Sequence, residues 1–189
     1  MVINDKVLAR TLKRTGQYGF KFCVNGTAAR LVGWDFAARI QLSDTDEPPK
    51  MTLAALVEML GFLPVDGECG HIYKVKNGWE WQDMTPAVFD SDYNELAHKE
   101  RSTIDCAMLP VRYITRPLIL TTEQRIYSVA GPMTLAEEWS GFFFKEPGSL
   151  CFGDDSSELF LSCYRPEQPG KVWRQLEVLD WEENHEGQD

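Results

Sequence analysis

The stretch Tyr18-Gly-Phe-Lys-Phe-Cys-Val-Asn-Gly-Thr-Ala-Ala-Arg-Leu-Val-Gly-Trp34 sets the fold class. Tyr18, Phe20, Phe22 and Val24 recur at every second position, the period of a strand, and Ala29, Leu31 and Gly33 lead on to Trp34. Between the two runs stands Asn25-Gly26, a pair that tolerates the positive φ angles of a type I′ turn. The stretch therefore reads as a β-hairpin. The device recurs further on: His71, Tyr73 and Val75 alternate before Asn77-Gly78, and Trp79 and Trp81 alternate after it. A polar, acidic loop from Ser43 to Lys50 separates the hairpins. It leads into a helix over about 52–60, with Leu53, Leu56, Val57 and Leu60 at helical spacing and Gly61 and Pro64 to end it.

Working outward, Asn4 or Asp5 can cap a first helix whose Val7, Leu8 and Leu12 share a face, with Gly16 as its stop. Its other face carries Lys6, Arg10, Lys13 and Arg14, a basic stripe that reads as a solvated helix face. A helix is expected near 93–101, strands over 111–120 (pushed towards a sheet edge by Pro117), 126–130, 159–164 and 172–179, and a loop over 165–170. Thr134 and Glu137 have capping-box spacing, which predicts another helix from Thr134. Met51 to Ala54 and Met133 to Ala136 share the sequence Met-Thr-Leu-Ala, which capping chemistry alone can produce, and nothing else keeps a fixed period. The pattern as a whole predicts one α+β domain over residues 1–189: a mainly antiparallel sheet built from hairpins, with a few helices packed on one side and a frayed acidic tail from about 181.

Composition bounds what such a domain does. With 189 residues, 43% hydrophobic and 25% charged, the chain can bury an adequate core without a metal or a disulfide. The five scattered cysteines then read as reduced thiols of a soluble cytoplasmic protein, no signal peptide being evident. The net charge is −10 and uneven: residues 1–50 carry eight Lys/Arg against five Asp/Glu, and residues 51–189 carry eleven against twenty-four. Such a field repels a phosphate backbone and draws in a basic partner; no apolar run is long enough for a membrane.

Val88-Phe-Asp-Ser-Asp92 resembles the Asp-x-Asp nucleophile motif of haloacid-dehalogenase-like phosphatases. The resemblance implies Asp90 as nucleophile and Asp92 as general acid, with Thr121, Lys145 and the acidic run Gly153-Asp-Asp155 with Glu158 in supporting roles. The sequence departs from that family before and after the motif. Gln82 to Pro86 is polar and proline-broken where a buried strand belongs, and Tyr93-Asn94 replaces the family's Gly-Thr. The plainer reading is that Asp90 or Asp92 caps the following helix and that Asp154-Asp155 lies in a turn. Asp90-x-Asp92-x-Asn94 also fails as a calcium loop, since Glu95 stands at the sixth position and Arg101 at the twelfth. Cys69 and His71 lack further close ligands for zinc, and no spacing singles out a Cys–His pair among Cys106, Cys151, Cys163, His71 and His98.

With no coherent catalytic set and no cofactor motif, the sequence favours an acidic interaction protein over an enzyme. The expectation is an inhibitor or immunity-type factor whose carboxylates engage a basic surface of a nucleic-acid-handling enzyme or other protein, without touching nucleic acid itself. Expected contacts are Asp154, Asp155, Glu158, Trp173, Trp181, Glu182, Glu183 and Glu186, the two tryptophans being aromatic anchors beside charge. One alternative is a small metal-dependent hydrolase using Asp90 and Asp92. Another is a small-ligand binder that stacks on Trp79 and Trp81, which share a strand face but can equally plug the core beneath a helix.

Overall fold

Both Asn-Gly hairpins form, each one residue away from the register that a type I′ turn on Asn-Gly would set. In the computed structural model, which describes residues 1–15, 18–109, 117–138, 141–167 and 170, β1 (Phe20–Asn25) pairs with β2 (Ala28–Val32). Asn25 opposes Ala28, so Gly26 and Thr27 make the turn and only Gly26 takes a positive φ, 60°. β4 (Cys69–Val75) pairs with β5 (Gly78–Met84), Val75 opposes Gly78, and Lys76-Asn77 makes the turn. Glycine, not asparagine, absorbs the left-handed backbone in each.

Among the described residues, twelve strands, all antiparallel, follow from these seeds. The remaining ones are β3 (Phe36–Gln41), β6 (Thr103–Ile104), β7 (Cys106–Leu109), β8 (Leu118–Thr121), β9 (Ile126–Val129), β10 (Phe143–Lys145), β11 (Ser149–Gly153) and β12 (Ser157–Tyr164). The main path runs β5-β4-β1-β2-β3-β12-β11-β10-β6, and β12 also pairs with β9, which carries β8 and β7. β8 therefore has a neighbour on each side. Pro117 stands just before it, where its missing N–H costs no ladder bond, and so does not force β8 to an edge.

Among the described residues, three α-helices flank the sheet. In α1 (Asp5–Arg14) the Asn4 side chain accepts from the Val7 N–H at 3.0 Å, and Leu8, Ala9 and Leu12 are buried. The N-terminus of α2 (Lys50–Leu60) is capped from elsewhere in the chain: the Asp5 carboxylate accepts from the N–H groups of Met51 (2.7 Å) and Thr52 (2.9 Å). Gly61, at φ 78°, ends α2. The third, α3 (Pro86–Ala97), starts seven residues before the helix expected near 93–101, because Thr85 caps it and Pro86 fills its first position. Asp90 and Asp92 are consequently inside the helix and do not cap it.

The helix expected from Thr134 is a single 3-10 turn, Met133–Leu135. The chain there pairs with the N-terminal segment instead: Ile3 bridges Ala136, Asn4 N–H donates to Leu135 O and Glu137 N–H to Val2 O. The two Met-Thr-Leu-Ala stretches thus adopt different structures.

The helices divide between the two faces of the sheet. Under α1 and α2 lies the main core, with Phe20, Phe22, Leu31, Ile40, Ile72, Leu159 and Leu161 from the strands. Under α3 lies a smaller cluster of Cys23, Val32, Ala37, Cys69, Cys151 and Phe160 with Phe89, Tyr93 and Ala97. Alternation along each strand sends neighbouring residues to opposite faces, so a strand such as β1 can be buried on both. Among the described residues no helix is long and apolar enough to cross a membrane.

Candidate functional site

The face beneath α3 gathers charge into an otherwise apolar layer. Cross-strand register sets Cys69, Cys23, Arg30, Arg39 and Glu158 in one row, because Cys23 opposes both Cys69 and Arg30, Arg30 opposes Arg39, and Arg39 opposes Glu158. Two arginines directly opposite each other repel unless compensated. Asp90 compensates from α3, its Oδ1 lying 2.6 Å from Arg30 Nη1, and Glu158 compensates from β12. The Arg30–Asp90 contact is Coulombic, without hydrogen-bond geometry: Asp90 Oδ1 and Arg30 Nε are both buried with no hydrogen-bond partner. The Arg30 guanidinium also lies over the rings of Phe89 (5.3 Å) and Tyr93 (5.4 Å). Lys21, from β1, holds Asp92 one turn-face along.

Tyr93 is fully buried in this layer, and its hydroxyl has no hydrogen-bond partner. Burial, and then the nearby Glu158 carboxylate, push its pKa well above the ordinary range against the pull of Arg30 and Arg39. It is a neutral phenol.

Beside α3 opens a cavity of about 370 Å³ lined by Lys21, Asp92, Glu95, His98, Ser162 and Cys163, among others. His98 ends α3 in the left-handed conformation, φ 46°, and burial followed by the Arg101 charge lowers its pKa, so the imidazole is neutral at neutral pH. Of the Cys–His combinations open to the sequence, the fold brings His98 and Cys163 to one cavity. Burial pushes the Cys163 thiol up to about 12, which leaves no thiolate to attack a substrate. Cys151 is likewise held near 12 and Cys106 near 11 by burial.

The other two cysteines correct the expectation of five reduced thiols. Cys23 and Cys69, cross-strand partners with Cα atoms 4.0 Å apart, form a disulfide. The sequence separation of 46 hid the pair, which only the β1–β4 register aligns.

The sequence-selected residues fall into four groups. Asp90, Asp92 and Glu158 meet at the α3 layer, each facing a cation. The phosphatase-like alternative wants Asp90 and Asp92 at a buried strand end; here they are on a helix. Asp154 and Asp155 lie in the β11–β12 turn. The Asp154 carboxylate accepts from the N–H and hydroxyl of both Ser156 and Ser157 and lies 3.2 Å from the N-terminal amine. Burial would raise its pKa, yet the bonds from Ser156, the amine and Ser157 bring it down to about 2. Asp155 is exposed. Trp173, Trp181, Glu182, Glu183 and Glu186 lie outside the described residues, as does the strand expected over 172–179. Trp79 and Trp81 are half-buried against the main core, and Trp81 covers Gly70 so closely that a Cβ there would meet the indole at 2.3 Å.

One feature escaped the sequence reading. Trp34, 72% exposed, packs on Tyr18, 61% exposed, with ring centroids 5.0 Å apart. The pair stands at the end of β1 and β2 whose Lys21 and Val32 line the cavity. Alternation had counted both aromatics as hairpin residues, whereas they lie just beyond the strands. Among the described residues no three His, Cys, Asp or Glu side chains gather as a metal site. Compared with known proteins, the chain matches no family model, no curated protein and no solved structure.

Proposed function

We propose that the chain is a non-enzymatic, acidic interaction module of inhibitor or immunity type. It would bind a basic surface of a nucleic-acid-handling enzyme or another protein. The observation that carries this reading is the exposed Tyr18–Trp34 pair at the strand end whose Lys21 and Val32 line a cavity together with Asp92 and Glu95. Solvent-exposed aromatics next to carboxylates suit an interface with a cationic partner, the aromatic supplying the anchor and the acids the orientation. The charge of −10 supports it by favouring encounter with basic surfaces. Asp155 and Glu158 stay among the proposed contacts; Asp154 is committed to its turn and contributes by shaping it.

The test is capture from the native host's lysate at low and high salt, with wild type beside Trp34→Ser and Asp155→Asn/Glu158→Gln. The expected result is one basic, stoichiometric partner, released by salt. Trp34→Ser should weaken the purified pair about 30-fold, the cost of an aromatic hot spot. Capture that is indifferent to salt and to every variant would overturn the reading.

A further inference from the structure

The outer edge of β5 is open: β5 ends the main path, and among the described residues no strand pairs with its far side. A two-residue connection makes Val75 and Gly78 a hydrogen-bonded pair, so alternation turns the backbone N–H and C=O of Glu80 and Gln82 towards β4. Those of Trp79, Trp81 and Asp83 point outward. The strand Gly78–Met84 contains no proline and no lysine, the usual guards of an exposed edge.

We propose that this edge pairs with the same edge of a second copy of the chain, antiparallel about a two-fold axis at Trp81. That register uses the whole strand and has the parity pairing needs. Trp81 opposes its own copy, Trp79 opposes Asp83, and each of these pairs joins two outward-facing backbones that exchange two hydrogen bonds. Centring the register at Trp81 keeps like charges apart, whereas centring it at Asp83 would set that carboxylate against its own copy. Glu80 meets the neutral Gln82, and Asp83 meets a Trp79 ring that already carries the Lys74 ammonium at 6.0 Å. No two like charges stand opposite. The cross-strand tryptophan pair is flanked by Phe62, 44% exposed and already packed edge-on against Trp81 at 6.0 Å, so association covers apolar surface from both copies.

Gln82 makes the register testable, since it is exposed and lies opposite His71 within its own chain. Gln82→Glu places a carboxylate against Glu80 twice per dimer; Gln82→Lys places an ammonium there. Sedimentation equilibrium of the full chain should show a monomer–dimer equilibrium. Gln82→Glu should weaken it at least about fivefold, Gln82→Lys should tighten it by a similar factor, and Glu80→Lys/Gln82→Glu should restore it. Circular dichroism checks that each variant folds. A monomer at every concentration, or a dimer that ignores both single substitutions, overturns the proposal.

Discussion

Asp154 shows how far one side chain's role depends on what surrounds it. As a sequence feature it belongs to an acidic run available to a partner. In the fold it closes the β11–β12 turn with bonds from Ser156 and Ser157 and pairs with the N-terminal amine. Its pKa of about 2 lies below the ordinary carboxylate value of 3.8, so the folded state favours the charged form. A depressed folded pKa contributes stability that is present above about pH 4 and lost as pH falls towards 2. Asp154→Asn should therefore cost about 1 kcal/mol at pH 7, the figure being held down by a side chain one-third exposed, and should flatten the stability profile between pH 4 and 2. Urea titrations of both proteins across that range measure it. The Tyr93 hydroxyl is the converse case: its residue type was visible, but its isolation beneath α3 comes only from packing.

At the scale of elements, α3 is fastened to the sheet by an apolar stripe and two ion pairs, and the members of the Arg30–Asp90 pair are unequal. Arg30 has a side-chain exposure of 15%, lies over two aromatic rings and sits beside Arg39, whereas Asp90 is 43% exposed and can be rehydrated if left alone. Arg30→Ala should cost about 2 kcal/mol through lost stacking and packing, and Asp90→Asn only about 0.5 kcal/mol. Equal losses in chemical denaturation would show that the ion pair outweighs the ring contacts. Helix α3 also illustrates why boundaries mislead. The expectation near 93–101 covered its second half, but Thr85 and Pro86 start it a full turn and more before Asp90. In the Thr134 segment a capping signal was overridden by backbone pairing with residues 2–4.

For the whole molecule, the Cys23–Cys69 link ties β1 to β4 across 46 residues of sequence. Cross-linking a loop of that length restricts the unfolded chain, so reduction should lower stability by about 2–4 kcal/mol. Thermal melts with and without reductant measure the loss, and mass spectrometry of the unfolded chain should show three alkylatable cysteines before reduction and five after. Several properties of this protein were settled by the sequence alone: α+β class, two early hairpins, the presence of α1, and the acidic balance. All rest on local period, turn residues and counted charge, which need no knowledge of distant neighbours. The tertiary structure alone decided which face each helix covers, the placing of β3, β6, β7, β10 and β11, and the disulfide. It also decided the Arg30–Arg39–Glu158 row, the exposure of Tyr18 and Trp34, and the open edge of β5. These depend on register between strands far apart in the chain, and a shift of one residue would send every side chain concerned to the opposite face.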